Sequence, residues 1–379
     1  MKEKVLLGLS GGVDSAVALY LLKNDGYDVA SCFMRNWDSL TNNDELGNPT
    51  VDDDICPQEK DYQDAKKVAD MLDVKLYRKD FIKEYWDDVF KNFIDEYSHG
   101  RTPNPDVLCN KYIKFDAFLN YAKSLGYDKI AMGHYAKKVV IDNLSYLMKP
   151  KDHAKDQTYF LARLNREQLD HAIFPLADFS KQEVREIAHN LKLKIADKKD
   201  STGICFIGER DFRKFLNNYI PMKKGDIIDL ATNKKIGEHN GVFFYTIGQR
   251  KGLGIGGIKG ISSHGWFIVK KDVINNILYV ANGDEDLHLY SDEVLIEDLN
   301  ILAPELLDET KTYQVQFRYR AKDVLCRVKL DGNRARIYAI EEKFKAVAPG
   351  QLACIYTLDE RVLLSGTIAV SFRNGKQLT

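Results

Sequence analysis

A chain of 379 residues is too long for one ordinary hydrophobic core and implies two or three domains. Hydrophobic residues at 44% and charged residues at 29% are the composition of a water-soluble globular protein, and a formal net charge of −1 excludes a globally basic nucleic-acid binder, so any basic surface must be local. Six cysteines, at 32, 56, 109, 205, 326 and 354, contain no Cys-x-x-Cys pair, which excludes a zinc knuckle and a thioredoxin-type motif. No apolar run reaches membrane length, the N-terminal one is too short for a signal peptide, and sparse cysteines suit a reducing compartment; the expectation is a cytoplasmic protein with no membrane partner.

In chain order, the apolar run at 5–9 predicts a strand and the apolar-periodic run at 16–22 a helix. Between them lies Ser10-Gly11-Gly12-Val13-Asp14-Ser15. Two glycines let the backbone approach an anion closely, the free N–H groups of a first helical turn point at it, and Ser10 and Ser15 add hydroxyl donors. The expected ligand is a phosphate or pyrophosphate, without the lysine-bearing P-loop string. Residues 28–34 predict a second strand. The polar segment 40–54, with its acidic run Asp52-Asp53-Asp54, predicts a mobile loop.

Further on, the pattern predicts a helix over 58–72, a strand over 74–77, helices over 82–97 and 112–125, and a strand over 129–132 that ends at Gly133-His134. Strands alternating with helices imply a doubly wound, mainly parallel sheet whose ligands gather at the carboxyl ends of the strands, where the glycine loop, Met34 and Gly133 fall. Helices are expected over 181–191 and 211–219. From about Gly225 short strands and turns take over, including hairpins around Asn275-Asn276 and Asp331-Gly332, and imply an all-β C-terminal region closed into a small barrel. Gly252-Leu253-Gly254-Ile255-Gly256-Gly257 matches a dinucleotide-binding string, but no helix pattern follows it; it reads as a flexible loop beside Gln249, Arg250 and Lys251.

Two cysteines stand in unusual company. In Thr102-Pro103-Asn104-Pro105-Asp106-Val107-Leu108-Cys109 the prolines stiffen the approach, Asp106 is placed to cap a helix, and Cys109 falls in its first turn. A helix N-terminus, with Lys111 and Lys114 nearby, lowers a thiol's pKa, whereas Asp106 raises it; the alternative is an inert, half-buried cysteine. Cys205 lies in the glycine-flanked stretch Asp200-Ser201-Thr202-Gly203-Ile204-Cys205-Phe206-Ile207-Gly208, where a loop can present a sulfur to two partners in turn or simply fill space beside Phe206.

The Ser-Gly-Gly-x-Asp-Ser string resembles the pyrophosphatase loop of N-type ATP-pyrophosphatases. The whole set, taken in order, resembles the tRNA 2-thiouridylases: Gly8 to Ser15, Asn104-Pro105-Asp106, Cys109-Asn110-Lys111, Gly133-His134-Tyr135, Lys155-Asp156-Gln157, Gly203 to Gly208 and Arg318-Tyr319-Arg320. The resemblance implies that Gly8, Leu9, Ser10, Gly11, Gly12, Val13, Asp14, Ser15, Met34 and Gly133 bind ATP, with Mg²⁺ beside it and Asp14 a candidate ligand. It implies that Asn104, Pro105 and Asp106 meet the target uridine, that Cys109 is the nucleophile and Cys205 the persulfide carrier, with Asp106 in the catalytic set, and that Lys155, Asp156, Gln157, Arg318 and Tyr319 contact tRNA. The activity implied is 2-thiolation of the wobble uridine by adenylation of its C2 oxygen and transfer of persulfide sulfur, supplied by a cysteine desulfurase or a relay protein. The domains implied are a catalytic α/β domain over 1–210, a small central domain over 211–285 and a β-barrel over 286–379. The family often reads Arg-Tyr-Arg-Gln where this chain has Arg318-Tyr319-Arg320-Ala321.

The chemistry of the residues agrees with that activity: exchanging a carbonyl oxygen for sulfur needs an activated oxygen, a sulfur nucleophile and a second thiol or reductant to free the sulfur. A competing reading, an ATP-dependent amide- or guanidino-forming synthetase, leaves both cysteines idle. A tRNA-binding module without catalysis has no use for the intact loop. In the C-terminal region Lys311, Arg318, Arg320, Lys322, Arg327, Lys329, Arg334 and Arg336 interleave with Tyr313, Phe317 and Tyr319. This is either a nucleic-acid surface or a solvated basic strand face.

Overall fold

Five parallel strands organise the first part of the computed structural model, which describes residues 2–50, 53, 55–200, 203–205, 207–255 and 264–379. They are β1 (Lys4–Gly8), β2 (Asp28–Arg35), β3 (Leu76–Asp80), β4 (Lys129–Ala131) and, after the hairpin β5 (Lys137–Ile141) and β6 (Leu144–Met148), β7 (Ala172–Ile173), in the order β3-β2-β1-β4-β7. Helices intervene: α1 (Val13–Asn24), α2 (Pro57–Met71), α3 (Ile82–Tyr85), α4 (Lys91–Ser98), α5 (Pro105–Leu108), α6 (Phe118–Ser124), α7 (Thr158–Leu161), α8 (Arg166–His171), α9 (Lys181–Asn190) and α10 (Phe212–Asn217). The chain divides into two units: 1–91, 105–218 and 360–362 in one, and 92–104, 219–359 and 363–379 in the other.

In the first unit the central strand is apolar on both faces, as a parallel strand covered by helices must be. Val5, Leu6 and Leu7 are fully buried, and Leu7 pairs with Ser31 on one side and Ala131 on the other. Val13, Ala16, Val17, Leu19 and Leu22 of α1 pack with Val184 and Ala188 of α9 and Ala65, Val68 and Ala69 of α2 in one core. The start of α9 is fixed by a reciprocal cap, Ser180 with Glu183.

Three expectations shift here. β3 starts at Leu76, two residues later than the apolar pattern implied. The helix expected from 112 begins at Pro105 instead, with a π-helical segment Cys109–Ala117 joining α5 to α6, so Asp106 is inside the first turn and does not cap it. Part of the segment expected to be a mobile loop is anchored: Asn42, Asp44 and Asn48 are buried among exposed neighbours, Trp37 Nε1 donates to Asp44 at 2.9 Å, and Arg210 closes on the same carboxylate at 2.8 Å. A polar composition concealed this, because the polar groups satisfy one another. Asp52 and Asp54 of that acidic run lie outside the described residues, as do Ser201, Thr202, Phe206, Gly256 and Gly257.

The second unit is mostly β, with α4 and short helical turns beside its strands. β8 (Gly225–Asp229), β9 (Lys234–His239), β10 (Trp266–Asp272) and β11 (Ile277–Asn282) form a sheet in the order β10-β11-β8-β9. Then come β12 (Tyr290–Ser291), β13 (Glu293–Ile301), β14 (Tyr313–Gln316), β15 (Val324–Asp331), β16 (Arg334–Ala339), β17 (Phe344–Lys345), β18 (Leu352–Tyr356), β19 (Val362–Arg373) and β20 (Lys376–Gln377). The order β13-β16-β15-β14-β18-β19 closes through β13–β19 pairing, which removes the sheet's edges. The hairpin β15–β16 turns at Gly332-Asn333, with Gly332 at φ +61°, one residue beyond the expected Asp331-Gly332.

Candidate active site

Gly8 ends β1, and Met34 and Met132 lie against it at the ends of neighbouring strands, 3.0 and 2.7 Å from where a Cβ would stand. The turn after it has Gly11 at φ +77°, and α1 then begins with no side chain capping its first N–H groups. Gly133 lies so close to this turn that a Cβ there would come within 2.9 Å of Ser15 N. Strand ends, an uncapped helix start and a close backbone approach are the makings of an anion cradle.

Cations surround it. Lys181 Nζ bonds both oxygens of Asp14, at 2.7 and 2.8 Å, and Asp200 at 2.6 Å. Lys155 holds the other oxygen of Asp200 at 2.7 Å. Lys198 reaches the Gly11 carbonyl at 3.1 Å along with Asp61 and Asp64. Burial works against the Asp200 carboxylate, but hydrogen bonds from Lys155 and Lys181 bring its pKa down to about 2. The Tyr135 hydroxyl also donates to Asp14, at 3.0 Å. Among the described residues no three His, Cys, Asp or Glu side chains converge as a metal cage; a triphosphate-borne Mg²⁺ needs only one or two protein carboxylates, so Asp14 fits that need.

Asp106, Cys109 and Cys205 meet in the same unit. Asp106 Oδ1 accepts the Cys205 N–H at 3.0 Å, and the Tyr85 hydroxyl donates to the Cys205 carbonyl at 3.0 Å, so the loop is held on both sides of its sulfur. The Cys109 thiol donates to Cys205 Sγ at 3.8 Å, a contact and not a bond. Burial, then the neighbouring Cys205 sulfur, pushes the Cys109 thiol well above its ordinary range. Cys205 moves the other way, because it receives the hydrogen bond from Cys109 and, against burial, the positive charge and hydrogen bond of Lys114. The sequence left the Cys109 thiol open between depression by a helix start and lysines and elevation by Asp106; the structure raises it, because Cys109 is fully buried and not at the helix start, and lowers Cys205 instead. Burial also raises the Asp106 carboxyl, against the Cys205 N–H and Lys114.

Family models cover most of the chain: one described as a tRNA methyl transferase HUP domain matches residues 3–209, a PRC-barrel domain model of the same series matches 213–282, and an aminomethyltransferase β-barrel domain model matches 291–368. The chain is 52% identical over 376 residues to the tRNA-specific 2-thiouridylase MnmA of Mycoplasma mycoides subsp. mycoides SC, covering 97% of this chain and 98% of that protein. It is 52% identical to the protein of the same name from Mycoplasma capricolum subsp. capricolum, over the same shares, and 52% identical to that of Metamycoplasma arthritidis over 100% of this chain and 99% of that one. The chain belongs to the tRNA-specific 2-thiouridylase family.

Within that family frame the remaining expected residues fall in three places. Lys155, Asp156 and Gln157 lie beside the anion cradle: Gln157 exchanges two hydrogen bonds with the Tyr135 backbone, and Asp156 binds Thr158. Pro105 is in the first unit and Asn104 in the second, at a unit boundary. Arg318 and Tyr319 are in the second unit, where the Arg318 guanidinium donates to the carbonyls of Ile247 and Ala346. Several of the C-terminal cations are matched locally: Arg336 pairs with Glu293, Lys322 with Glu342 at 2.7 Å and Lys311 with Asp308 at 3.7 Å. Arg327 and Lys329 point outward from β15. No helix of the described residues is long and apolar enough to cross a membrane.

The residues that sequence reasoning left unassigned are Lys181, Lys198, Asp200 and Tyr85. A signal for Lys181 was present: it is the first residue after the cap of a Ser-x-x-Glu helix start. Tyr85 and Lys198 act across 120 and 187 positions and left no local trace, and Asp200 meets Lys155 across 45.

Proposed function

We propose that the protein uses ATP to place sulfur on C2 of the wobble uridine of tRNA. The observation that carries the reading is the contact of two cysteine sulfurs, 96 positions apart in sequence, in the same unit as an anion cradle at the ends of parallel strands. In the proposed reaction Gly8 to Ser15, Met34 and Gly133 hold ATP, with Lys181 and Lys198 facing its phosphates and Mg²⁺ neutralising part of their charge. Uridine O2 attacks the α-phosphorus, the α–β bond breaks, and pyrophosphate leaves. The oxygen is now an ester of AMP, a far better leaving group than oxide.

Cys205 thiolate takes the outer sulfur of a donor persulfide R–S–SH, carried by a cysteine desulfurase or a relay protein, and the donor leaves as its thiol. The outer sulfur of the resulting Cys205–S–SH attacks C2, and AMP departs with the C2 oxygen. Cys109, after losing its proton, attacks the Cys205 sulfur. The S–S bond to the new substituent breaks, its electron pair stays with the sulfur on C2, and a Cys109–Cys205 disulfide forms that an external thiol reduces. Asp106, with Asn104 and Pro105, faces the uridine; Lys155, Asp156, Gln157, Arg318 and Tyr319 contact the tRNA. Methyl transfer, named in the first family model, has no use for two sulfurs in contact.

The test combines purified protein, tRNA, ATP and a labelled persulfide donor. Pyrophosphate release that depends on tRNA, with 2-thiouridine found by nucleoside mass spectrometry, is expected. Cys205→Ser should retain the pyrophosphate release and lose the thiolation. Full thiolation by Cys205→Ser, or pyrophosphate release indifferent to tRNA, overturns the reading.

A further inference from the structure

Lys114 is the cation of the cysteine site, and nothing in the reaction above assigns it. It stands five residues after Cys109, and in an α-helix that spacing turns the two side chains about 140° apart. Here the segment Cys109–Ala117 is π-helical, and its i→i+5 bonding is seen where the Phe118 N–H closes on the Ile113 carbonyl. That winding stacks residue i+5 over residue i, and it brings Lys114 to the face that carries Cys109. There the half-buried Lys114 side chain hydrogen-bonds Cys205 Sγ.

We propose that Lys114 is the positioning residue that keeps the Cys205 sulfur anionic, and that the π-helical segment exists to bring it there; this rests on the reading of Cys205 as the sulfur carrier. The groups that face this sulfur are few. Cys109 donates to it from the π segment, Lys114 donates to it from the same segment, Asp106 holds its backbone N–H from α5, and Tyr85 of α3 holds its carbonyl. His134, at the end of β4, faces Lys114, and burial together with that ammonium keeps its ring neutral. Lys114 is therefore the one cation among these groups. Burial disfavours its charge, and the surrounding sulfurs and Asp106 restore it. Cys109 can donate a hydrogen bond but supplies no charge, and Asp106 opposes the anion. Without Lys114 the buried sulfur has one donor, an adjacent carboxylate and no counter-ion, a setting in which a thiol keeps its proton.

The consequence concerns both sulfur moves. A thiolate at Cys205 is the nucleophile that collects sulfur from the donor, and an ionised persulfide is the nucleophile that delivers it. One ammonium serves both if it can follow the charge, which moves outward by one sulfur between them. The site thus needs a cation on a flexible stem, which lysine provides.

The test is the pH dependence of Cys205 alkylation by iodoacetamide, read peptide by peptide by mass spectrometry so that Cys109 is scored separately. In the wild-type protein the Cys205 midpoint should lie below the ordinary thiol value of about 8.5. Lys114→Met and Lys114→Gln should raise it by a unit or more, slowing alkylation at neutral pH about tenfold, and Lys114→Arg should stay within about threefold of wild type. Sulfur loading by the persulfide donor should follow the same order and shift its pH profile by the same amount. Unchanged Cys205 titration in the neutral variants overturns the proposal. Should those variants fail to fold, a wild-type midpoint at or above the ordinary value overturns it as well. Failure of the underlying reading looks different: Cys205 would titrate low in the wild type yet accept no sulfur from the donor.

Discussion

Asp106 offers the sharpest test of how the site is built, because its two effects on Cys205 have opposite consequences. Its carboxylate accepts the Cys205 N–H at 3.0 Å and so anchors the loop, while its negative charge opposes the Cys205 thiolate and adds a little to the burial that raises the Cys109 thiol. Asp106→Ala removes both effects, and Asp106→Asn keeps an oxygen for the N–H and removes only the charge. A hydrogen bond from a part-buried N–H to a carboxylate contributes about 1.5–3 kcal/mol, so Asp106→Ala should raise the population of loop-released protein about 10- to 150-fold. The Cys205 amide should exchange with solvent deuterium faster by that factor, while in Asp106→Asn it should stay within a few-fold of wild type. Alkylation should report the charge, which both variants lack, with Cys205 of Asp106→Asn reacting at lower pH than in wild type while its loop stays anchored. Sulfur loading at neutral pH should therefore survive Asp106→Asn better than Asp106→Ala. Equal amide exchange in the two variants would refute the anchoring role and leave Asp106 as a charge alone.

Two further outcomes follow from the second unit. Arg318 donates to two backbone carbonyls, so Arg318→Ala should lower stability by about 1.5–3 kcal/mol in the absence of any tRNA, measured by thermal denaturation; if the side chain also meets tRNA, the slope of affinity against salt should flatten by about one counterion. Burial brings the Lys271 ammonium down to about 7, while the unfolded chain keeps it near 10.4. Between those values the unfolded state holds more protons, so stability should rise with pH, by up to about 1.4 kcal/mol per unit, and Lys271→Met should flatten that slope in urea denaturation measured across the window.

What the sequence made legible was what local pattern encodes. The buried strands of a parallel sheet are continuous apolar runs, so β1, β2 and β4 were readable, and with them the ends where Gly8, Met34 and Gly133 gather. The alternation of β15 and β16 and the glycine between them made the hairpin readable, with its turn misplaced by one residue because Gly332-Asn333 and Asp331-Gly332 are both competent pairs. Packing of polar groups was illegible. Asp44 with Trp37 and Arg210 turns a segment of loop composition into a fixed one, and the partner that decides this lies 166 positions away. The π winding was illegible too, because the apolar positions that bury Ile113 and Phe115 satisfy a helical period whichever way the hydrogen bonds close.

The opposite shifts of the two thiols show why a motif alone could not assign their ionisation. Cys109 sits on a helix among lysines, and both features lower a thiol's pKa in an exposed position. Full burial of its sulfur reverses that, because the cost of an unsolvated charge outweighs a distant dipole. Lys114, the cation among the described groups facing Cys205, hydrogen-bonds it, so the site stabilises an anion on the loop sulfur. In the proposed chemistry this fixes the sequence of events. Cys205 is ready to collect sulfur at rest, and Cys109, still protonated, cannot cleave the persulfide too early. Delivery of the outer sulfur to uridine carries the negative charge away from Lys114 and leaves Asp106 as the anion beside it. The Cys109 thiol, which shares the face with Lys114, is then in place to supply a second one. Its ionisation, and hence the resolving attack, is thereby favoured only after the transfer that it must follow.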